Sequence, residues 1–588
     1  MRMHRNGCLI AEPGSHRRNR RGRGGDFVAW PNAFFFRIWF HVLQAHRVVQ
    51  RMVNRSSLTA FVFLSSALAC SGSNVTKDVT FQPDVPTPTS GSAWLPTRIR
   101  RLSGVEIDAA ISNLLAESVS ISPKMAPDIR QSGFTANADQ AVDSLLASQL
   151  ETATSEQAES TVDRLLEATP CAASAADEAC AIAIIGAFAQ RAWRRPVTDD
   201  ERVDLLALYR SGIEGGTFRD GISLVFTGVM QSASFLYVTE LGDASARGTT
   251  VSLTQHEIAT SLAMAVSGGP PDDELRAAAD DGSLDDAAER RRQAERLWEK
   301  PAARAQMVRM VQEWLHLDRI ASLGKNNTVY PKFDGLRTAM QDESRSFIGS
   351  VLFDGDANLS ELISADYTIA SPALAAFYGG ETRDGKTSLA GTTRRGIINQ
   401  AAFLAVHGKD QESAPVVRGA TVLRQLLCVH LATPAELQLN VVPPDPDPRK
   451  TTRERFSVHA TESACRSCHQ PIDALGFSFE GFDGMGENRI AENGKPIQTA
   501  SILDGLGESI DGPLADSSEL AVRLGSAPEV QDCFARNLFR FETAQSIDGS
   551  DDAFADAIAK RSPTDRANIK TLLLSYITDK KFILRKRP

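Results

Sequence analysis

From residue 97 onward apolar side chains return every three or four positions, the period of an amphipathic helix, and runs that alternate with period two are few. In 98–116 the apolar positions 107, 110, 111, 114 and 115 follow Ser103 and Glu106, whose spacing is that of a capping box. Further helical text covers 139–167, the run from Cys180 to the stop at Pro196, a segment opened by Thr198 with Glu201 at the box position, and 220–237 with Phe226, Met230 and Phe235 as core. Thr254 and Pro270 each open another helix, 290–317 reads as one long charged helix, and 340–347 and 360–378 continue the pattern. The prediction is a mainly α protein of several consecutive helical modules, with short hairpins at most.

The first 95 residues do not fit that pattern. From Met52 the chain has one positive charge, a dozen mostly apolar residues, small residues and then Cys70, which reads as a secretory signal too short to span a membrane as a mature helix. It also resembles a bacterial lipoprotein signal, with Cys70 as the lipidated first mature residue and Ala67 where leucine is usual. Residues 1–51 then read as lying upstream of the true start, or as a long basic leader. The Ser/Thr/Pro-rich stretch after Cys70 is a tether. The domain reading is leader 1–69, with the signal peptide at 52–69, and tether 70–95. Helical modules follow at 96–168, 169–245 and 246–382, then a CxxCH-bearing module at 383–500 and a last helical module at 501–588.

Charge supports the division. Residues 1–51 hold ten arginines against Glu12 and Asp26, a surplus of eight positive charges, so with a net charge of −9 the remainder carries −17. Such an acidic body does not seek nucleic acid. With 42% hydrophobic and 23% charged residues the chain is ordinary globular material.

An exported chain can oxidise its cysteines. Cys171 and Cys180 flank a short loop and suggest a local disulfide, leaving Cys428 and Cys533 as a long-range pair; buried free thiols are the alternative. Cys465, Cys468 and His469 are different. A CxxCH supplies two thiols for the two vinyl groups of a haem and an adjacent imidazole for its iron. Zinc would need a second paired ligand set, and no other CxxC or HxxxH occurs. The cofactor expected is therefore one covalent haem c, in a C-terminal haem-bearing region.

The order of segments resembles the planctomycete-type multi-module cytochrome c proteins, also common in myxobacteria, which are consecutive domains of unknown function. The stretches that carry the resemblance are 100–106 (Arg-Arg-Leu-Ser-Gly-Val-Glu), 188–196, 234–237, 342–345 with 365–367, and 413–419 (Ser-Ala-Pro-Val-Val-Arg-Gly). The most specific is 452–459 (Thr-Arg-Glu-Arg-Phe-Ser-Val-His), running into the CxxCH and then 475–483 (Leu-Gly-Phe-Ser-Phe-Glu-Gly-Phe-Asp). Ala474 stands where the family usually has proline, and 541–545 replaces its Tyr-Ala-x-Gly-Arg. The resemblance implies a periplasmic or outer-membrane haem protein.

Cys465 and Cys468 are expected to carry the thioethers and His469 to be the proximal ligand. Met485, His459 or His407 is the far-side ligand, or that position is open. Phe477, Phe479 and Phe482 are expected ring contacts or plain core, and Arg489 a propionate partner or a solvated arginine. Three functions stay open. One is electron transfer, with a redox partner protein. The second is a haem-dependent oxidoreductase, peroxidase-like, with an open site for a small organic substrate. The third is a binding scaffold with a structural haem. In each the membrane is reached through a lipid anchor at Cys70.

Overall fold

Three sequence-predicted caps set the first half of the architecture. The computed structural model describes Ala93 and residues 95–431, 447–457, 463–544 and 550–587; the predicted signal peptide, the predicted tether to residue 92 and Cys70 lie outside them. Ser103 and Glu106 close a capping box on α1 (Gly104–Leu115). The residues before it, 98–101, are not helix. They form β2 (Arg98–Arg101), after a two-residue β1 (Leu95–Pro96). Their arginines find buried carboxylates only from an extended backbone: Arg98 pairs with Glu240 and Arg100 with Glu106. Next come α2 (Ser144–Glu167), α3 (Glu178–Trp193), α4 (Asp199–Ile213), boxed by Thr198 and Glu201, and α5 (Phe218–Gln231). The Cys171–Cys180 disulfide ties the short helix Pro170–Ser174 to the first turn of α3. These helices share one core, with Ile107, Ile111, Leu150, Val162 and Phe226 buried and Phe188 stacked on Phe226 at 3.8 Å.

A second, larger core takes its residues almost entirely from 253–583. It begins with α6 (Gln255–Ser267), boxed by Thr254 and Glu257. The predicted long helix over 290–317 is two, α7 (Ala287–Trp298) and α8 (Pro301–Trp314). Pro301 has no N–H to continue α7 and a φ suited to a first turn, so it starts a new helix. Then follow α9 (Phe333–Gly349), α10 (Pro372–Tyr378), α11 (Ala401–Val406) and α12 (Pro415–Thr421). Further on are α13 (Thr452–Phe456), α14 (Ser463–Phe477), α15 (Pro528–Thr543) and α16 (Ile569–Thr578). The mainly α class holds. The strands among the described residues are short, in sheets of two or three.

Two of those sheets join distant parts of the chain. β2 pairs antiparallel with β3 (Tyr237–Glu240), Arg98 opposite Glu240. β1 pairs parallel with β5 (Leu584–Lys586), which also pairs with β4 (Thr250–Ser252). Between them lies a buried ionic knot. Glu240 accepts from Arg98 at 2.6 and 2.9 Å, from Arg585 at 2.7 Å and from Ser261 at 3.0 Å. The two guanidinium groups hold the Glu240 carboxyl far below the usual range despite its burial. The Cys428–Cys533 disulfide anchors α15 to the chain that follows α12.

Candidate haem-attachment site

The CxxCH helix is set in place by two glycines. α12 and α14 cross so closely that a Cβ on Gly419 would run into the carbonyl oxygen of Ile472, and one on Gly476 into that of Pro415. Both stretches, 413–419 and 475–483, belong to the most recognisable text in the sequence, and the contact explains their glycines. Arg418, one residue before Gly419, explains more. Fully buried, it donates to the carbonyls of Leu404 at 2.9 Å, Phe482 at 3.0 Å and Phe479 at 3.2 Å, and also to Asp483. Those carbonyls belong mostly to the tight turns after α14, where helical bonding has ended and the oxygens need donors. Burial pushes Arg418 down to about 10, so it stays charged.

Along α14, Cys465 and Cys468 are one turn apart and His469 follows directly. The Cys468 side chain is half-buried; the Cys465 side chain lies outside the described part. His469, 23% exposed at its side chain, has Nδ1 3.4 Å from Oδ1 of Asp473. With Nδ1–H given to that carboxylate, Nε2 is the nitrogen able to bind a metal. This is the arrangement by which an outer carboxylate fixes the tautomer and raises the basicity of a ligating histidine. The i+4 spacing of Asp473 from His469 on a helix is the sequence signal that finds it. Phe477 lies a further four residues on, so His469, Asp473 and Phe477 form one row along the helix.

A cleft lies nearby, touching the row only where its Arg453 rests on the Phe477 ring. The space of about 490 Å³ is bounded by Thr451, Arg453 and Glu454 on one side and by Glu480, Glu492 and Lys495 on others. Its volume falls within the roughly 300–1,000 Å³ that organic ligands occupy. The Arg453 guanidinium lies 4.8 Å above the Phe477 ring and within electrostatic reach of Glu480 and Asp473. The donor set therefore fits the thiol-linked, histidine-ligated half of a c-type haem site: two cysteines one turn apart and an imidazole beside a carboxylate.

The other predicted residues are placed less simply. Phe479 and Phe482 are fully buried in the large core, Phe479 beside Phe403 and Phe482 under the Arg394 guanidinium at 4.5 Å. Phe477 is the member of the trio with a cleft residue on its ring. Met485 is also buried in the large core. His407 is buried with both ring nitrogens engaged, Nε2 at 3.0 Å from the Leu315 carbonyl and Nδ1 at 3.3 Å from Thr421 Oγ1. Burial pushes it down to about 3, so it is neutral. His459 lies outside the described residues. Arg489 is neither solvated nor aimed at the cleft alone: it donates to Glu480 at 2.9 Å and to Ser413 at 3.0 Å. The disulfides pair as read, Cys171 with Cys180 and Cys428 with Cys533. Among the described residues no cluster of three or more His, Cys, Asp or Glu forms a further metal site.

Three family models match in succession, each described as a protein of unknown function: PSD5 (DUF1595) over 180–240, PSD4 (DUF1592) over 253–379 and PSCyt3 (DUF1588) over 394–492. This is the planctomycete-type multi-module cytochrome c architecture. The PSCyt3 span contains Gly419, the CxxCH, Asp473, Gly476 and the Arg418-clamped turns, so the close crossing and the thiol–histidine helix belong to one cytochrome c-type module. No curated protein and no solved structure matches this cytochrome c-type chain. A module of this type points to an exported chain. Among the described residues no helix is long and apolar enough to cross a membrane.

Proposed function

We propose that this chain is an exported electron-transfer protein carrying one haem attached covalently through Cys465 and Cys468, with His469 as its proximal ligand. The observation that carries the reading is the His469–Asp473 pair, because a histidine held by a carboxylate directly after two thiols has the chemistry of an iron ligand. When bound, the haem supplies one-electron redox chemistry. The chain's own residues do the rest: Asp473 fixes the imidazole, Phe477 and Arg453 cover one side of the helix face, and the Gly419–Gly476 crossing keeps α14 against the core. The partner is a redox protein or a small organic substrate, and Cys70 joins the chain to a membrane by a lipid. The −17 charge of the body argues against nucleic acid as a partner.

One observation favours a haem-dependent oxidoreductase as the second reading: the ring nitrogens of His407 are both spent on other partners, so it offers the iron no sixth ligand. Oxidised and reduced absorption spectra separate the two. Electron transfer predicts a six-coordinate spectrum that is unmoved by cyanide or carbon monoxide. A high-spin ferric spectrum that shifts with cyanide refutes it in favour of the enzyme.

A further inference from the structure

The strand that receives the segment from Cys70 shares a sheet with one of the most basic stretches of the chain. β1 runs parallel beside β5, Leu95 opposite Arg585 and Pro96 opposite Lys586, and β4 lies on the other side of β5 with Thr250 opposite Lys586. Residues 579–587 read Asp-Lys-Lys-Phe-Ile-Leu-Arg-Lys-Arg, five cations against one acid. In a body of charge −17 this is a local reversal of sign.

Arg585 belongs to the interior, buried and held by Glu240. Alternation along the strand turns Lys586 to the opposite face. Arg587 donates its guanidinium to the carbonyls of Asp243 and Ala246, and its N–H to that of Thr249 at 2.9 Å. The loop that carries exposed Arg247 is thereby drawn against the end of β5. Exposed Lys580, with Lys581 after it, stands just before the other end of the strand. Three strand residues, about 10 Å, separate the two groups. The carboxylates nearby serve the fold. Glu257 accepts from the N–H of Leu241 at 2.7 Å and of Thr254 at 2.9 Å, Asp243 from that of Ser245 at 2.8 Å, and Asp579 from that of Lys581 at 2.7 Å. With Glu240 and Glu257 set against Arg98 and Arg585, the edge keeps Arg247, Lys580, Lys581, Lys586 and Arg587 against Asp243 and Asp579, a surplus of three positive charges.

Residues 71–94 alone separate Cys70 from Leu95, a length whose flexible-chain span is about 25–30 Å. A lipid at Cys70 would therefore keep this edge within a short reach of a bilayer. We infer that the edge docks on anionic phospholipid headgroups of the membrane that holds the anchor. The inference rests on the lipid-anchor reading for where that membrane lies, and on the sign of the charge for what the edge meets. Salt screens the rest of the acidic body beyond about 8–10 Å, so the local surplus decides the contact.

The test uses the mature chain, residues 70–588, carrying Cys70→Ser so that no lipid contributes. Co-flotation is measured with phosphatidylcholine vesicles, with and without about one third phosphatidylglycerol, at about 0.1 and 0.5 M salt. Anionic vesicles should carry the chain, neutral ones should not, and the higher salt should release it. Arg247→Gln with Lys586→Gln should weaken binding about 25-fold, at about fivefold for each charge near the surface. Arg247→Lys with Lys586→Arg keeps the charge and should bind like the parent. Lys560→Gln with Arg561→Gln removes two exposed charges elsewhere and should leave binding within about twofold. Equal binding to both kinds of vesicle, a charge-depleted edge that binds as tightly as the parent, or an equal loss in the Lys560, Arg561 pair overturns the inference. A mass showing no lipid on Cys70 of the exported chain would instead remove the anchor reading and leave the vesicle result standing.

Discussion

Replacing Gly419 by alanine adds one carbon to the closest helix contact in the haem-type module. That carbon would meet the Ile472 carbonyl oxygen at impossible range and stand 2.9 Å from the Gly476 nitrogen, where ordinary contact begins at 3.4 Å. Both opposing atoms are backbone, so no side chain can turn aside. α12 and α14 must separate by half an ångström or more. A gap of about 0.5–1 Å forfeits a quarter to a half of each contact's well of about 0.1–0.2 kcal/mol, and a large buried side chain makes about 40–60 such contacts. For the interface around Ile472 and Leu475 the loss is about 2–3 kcal/mol, in the range measured for overpacked cores. Gly476→Ala meets the Pro415 carbonyl in the same way and should cost about as much. The double variant should cost clearly less than the two together, because one separation relieves both clashes. Gly186→Ala is the control. It lies in α3 with nothing within 4 Å of the added carbon and should gain up to about 1 kcal/mol of helix propensity. Urea unfolding followed by tryptophan fluorescence measures all four, since Trp298 and Trp314 are buried in the large core and Trp193 in the core that holds α3. A cost below about 0.5 kcal/mol for either single variant, or strict additivity in the double, refutes the account.

Three other perturbations probe the frame around the site. Glu240→Gln removes the buried carboxylate that Arg98 and Arg585 share and should cost about 3–5 kcal/mol; because the folded carboxyl is depressed, the stability it gives is present above an unfolded value of about 4.3 and lost as pH falls, so the variant's acid unfolding curve should be flatter. Glu343, fully buried beneath Tyr378 at 2.6 Å and Thr368 at 2.8 Å, behaves oppositely: burial raises it to about 7. The folded state then holds a proton that the unfolded one releases near 4.3, so thermal stability should decline between about pH 4.3 and 7 and level off above, by on the order of 3 kcal/mol, and Glu343→Gln should abolish that decline. Replacing Cys428 and Cys533 by alanine opens a 105-residue loop and should cost about 4–5 kcal/mol, against about 2.5 for Cys171 and Cys180 with their separation of 9, as read from thermal midpoints without reductant.

The readable part of this chain was local. Capping boxes at Ser103, Thr198 and Thr254 depend on side chains three residues apart, and all three head helices. The CxxCH is equally local, and its module matches a cytochrome c-type family. What escaped depends on distance or on a change of phase. The apolar rhythm runs on across Pro301, so the break between α7 and α8 was hidden by a pattern that both helices share. Strand β2 is four residues, and its reason to be extended, Glu240, lies 142 positions away. The ionic knot needs Arg585 as well, 345 positions from Glu240, and no sequence period connects them. At the site, Asp473 was within reach of helical spacing from His469.

The central claim is that Cys465, Cys468 and His469 carry a covalent haem, and the intact mass of the mature protein tests it most directly. Produced with haem-attachment machinery, the chain should gain the mass of one haem, and the Cys465→Ala, Cys468→Ala double variant should lose that gain while keeping its helical circular dichroism. An unmodified mass for the unsubstituted chain, or a gain that survives removal of both cysteines, would contradict the account.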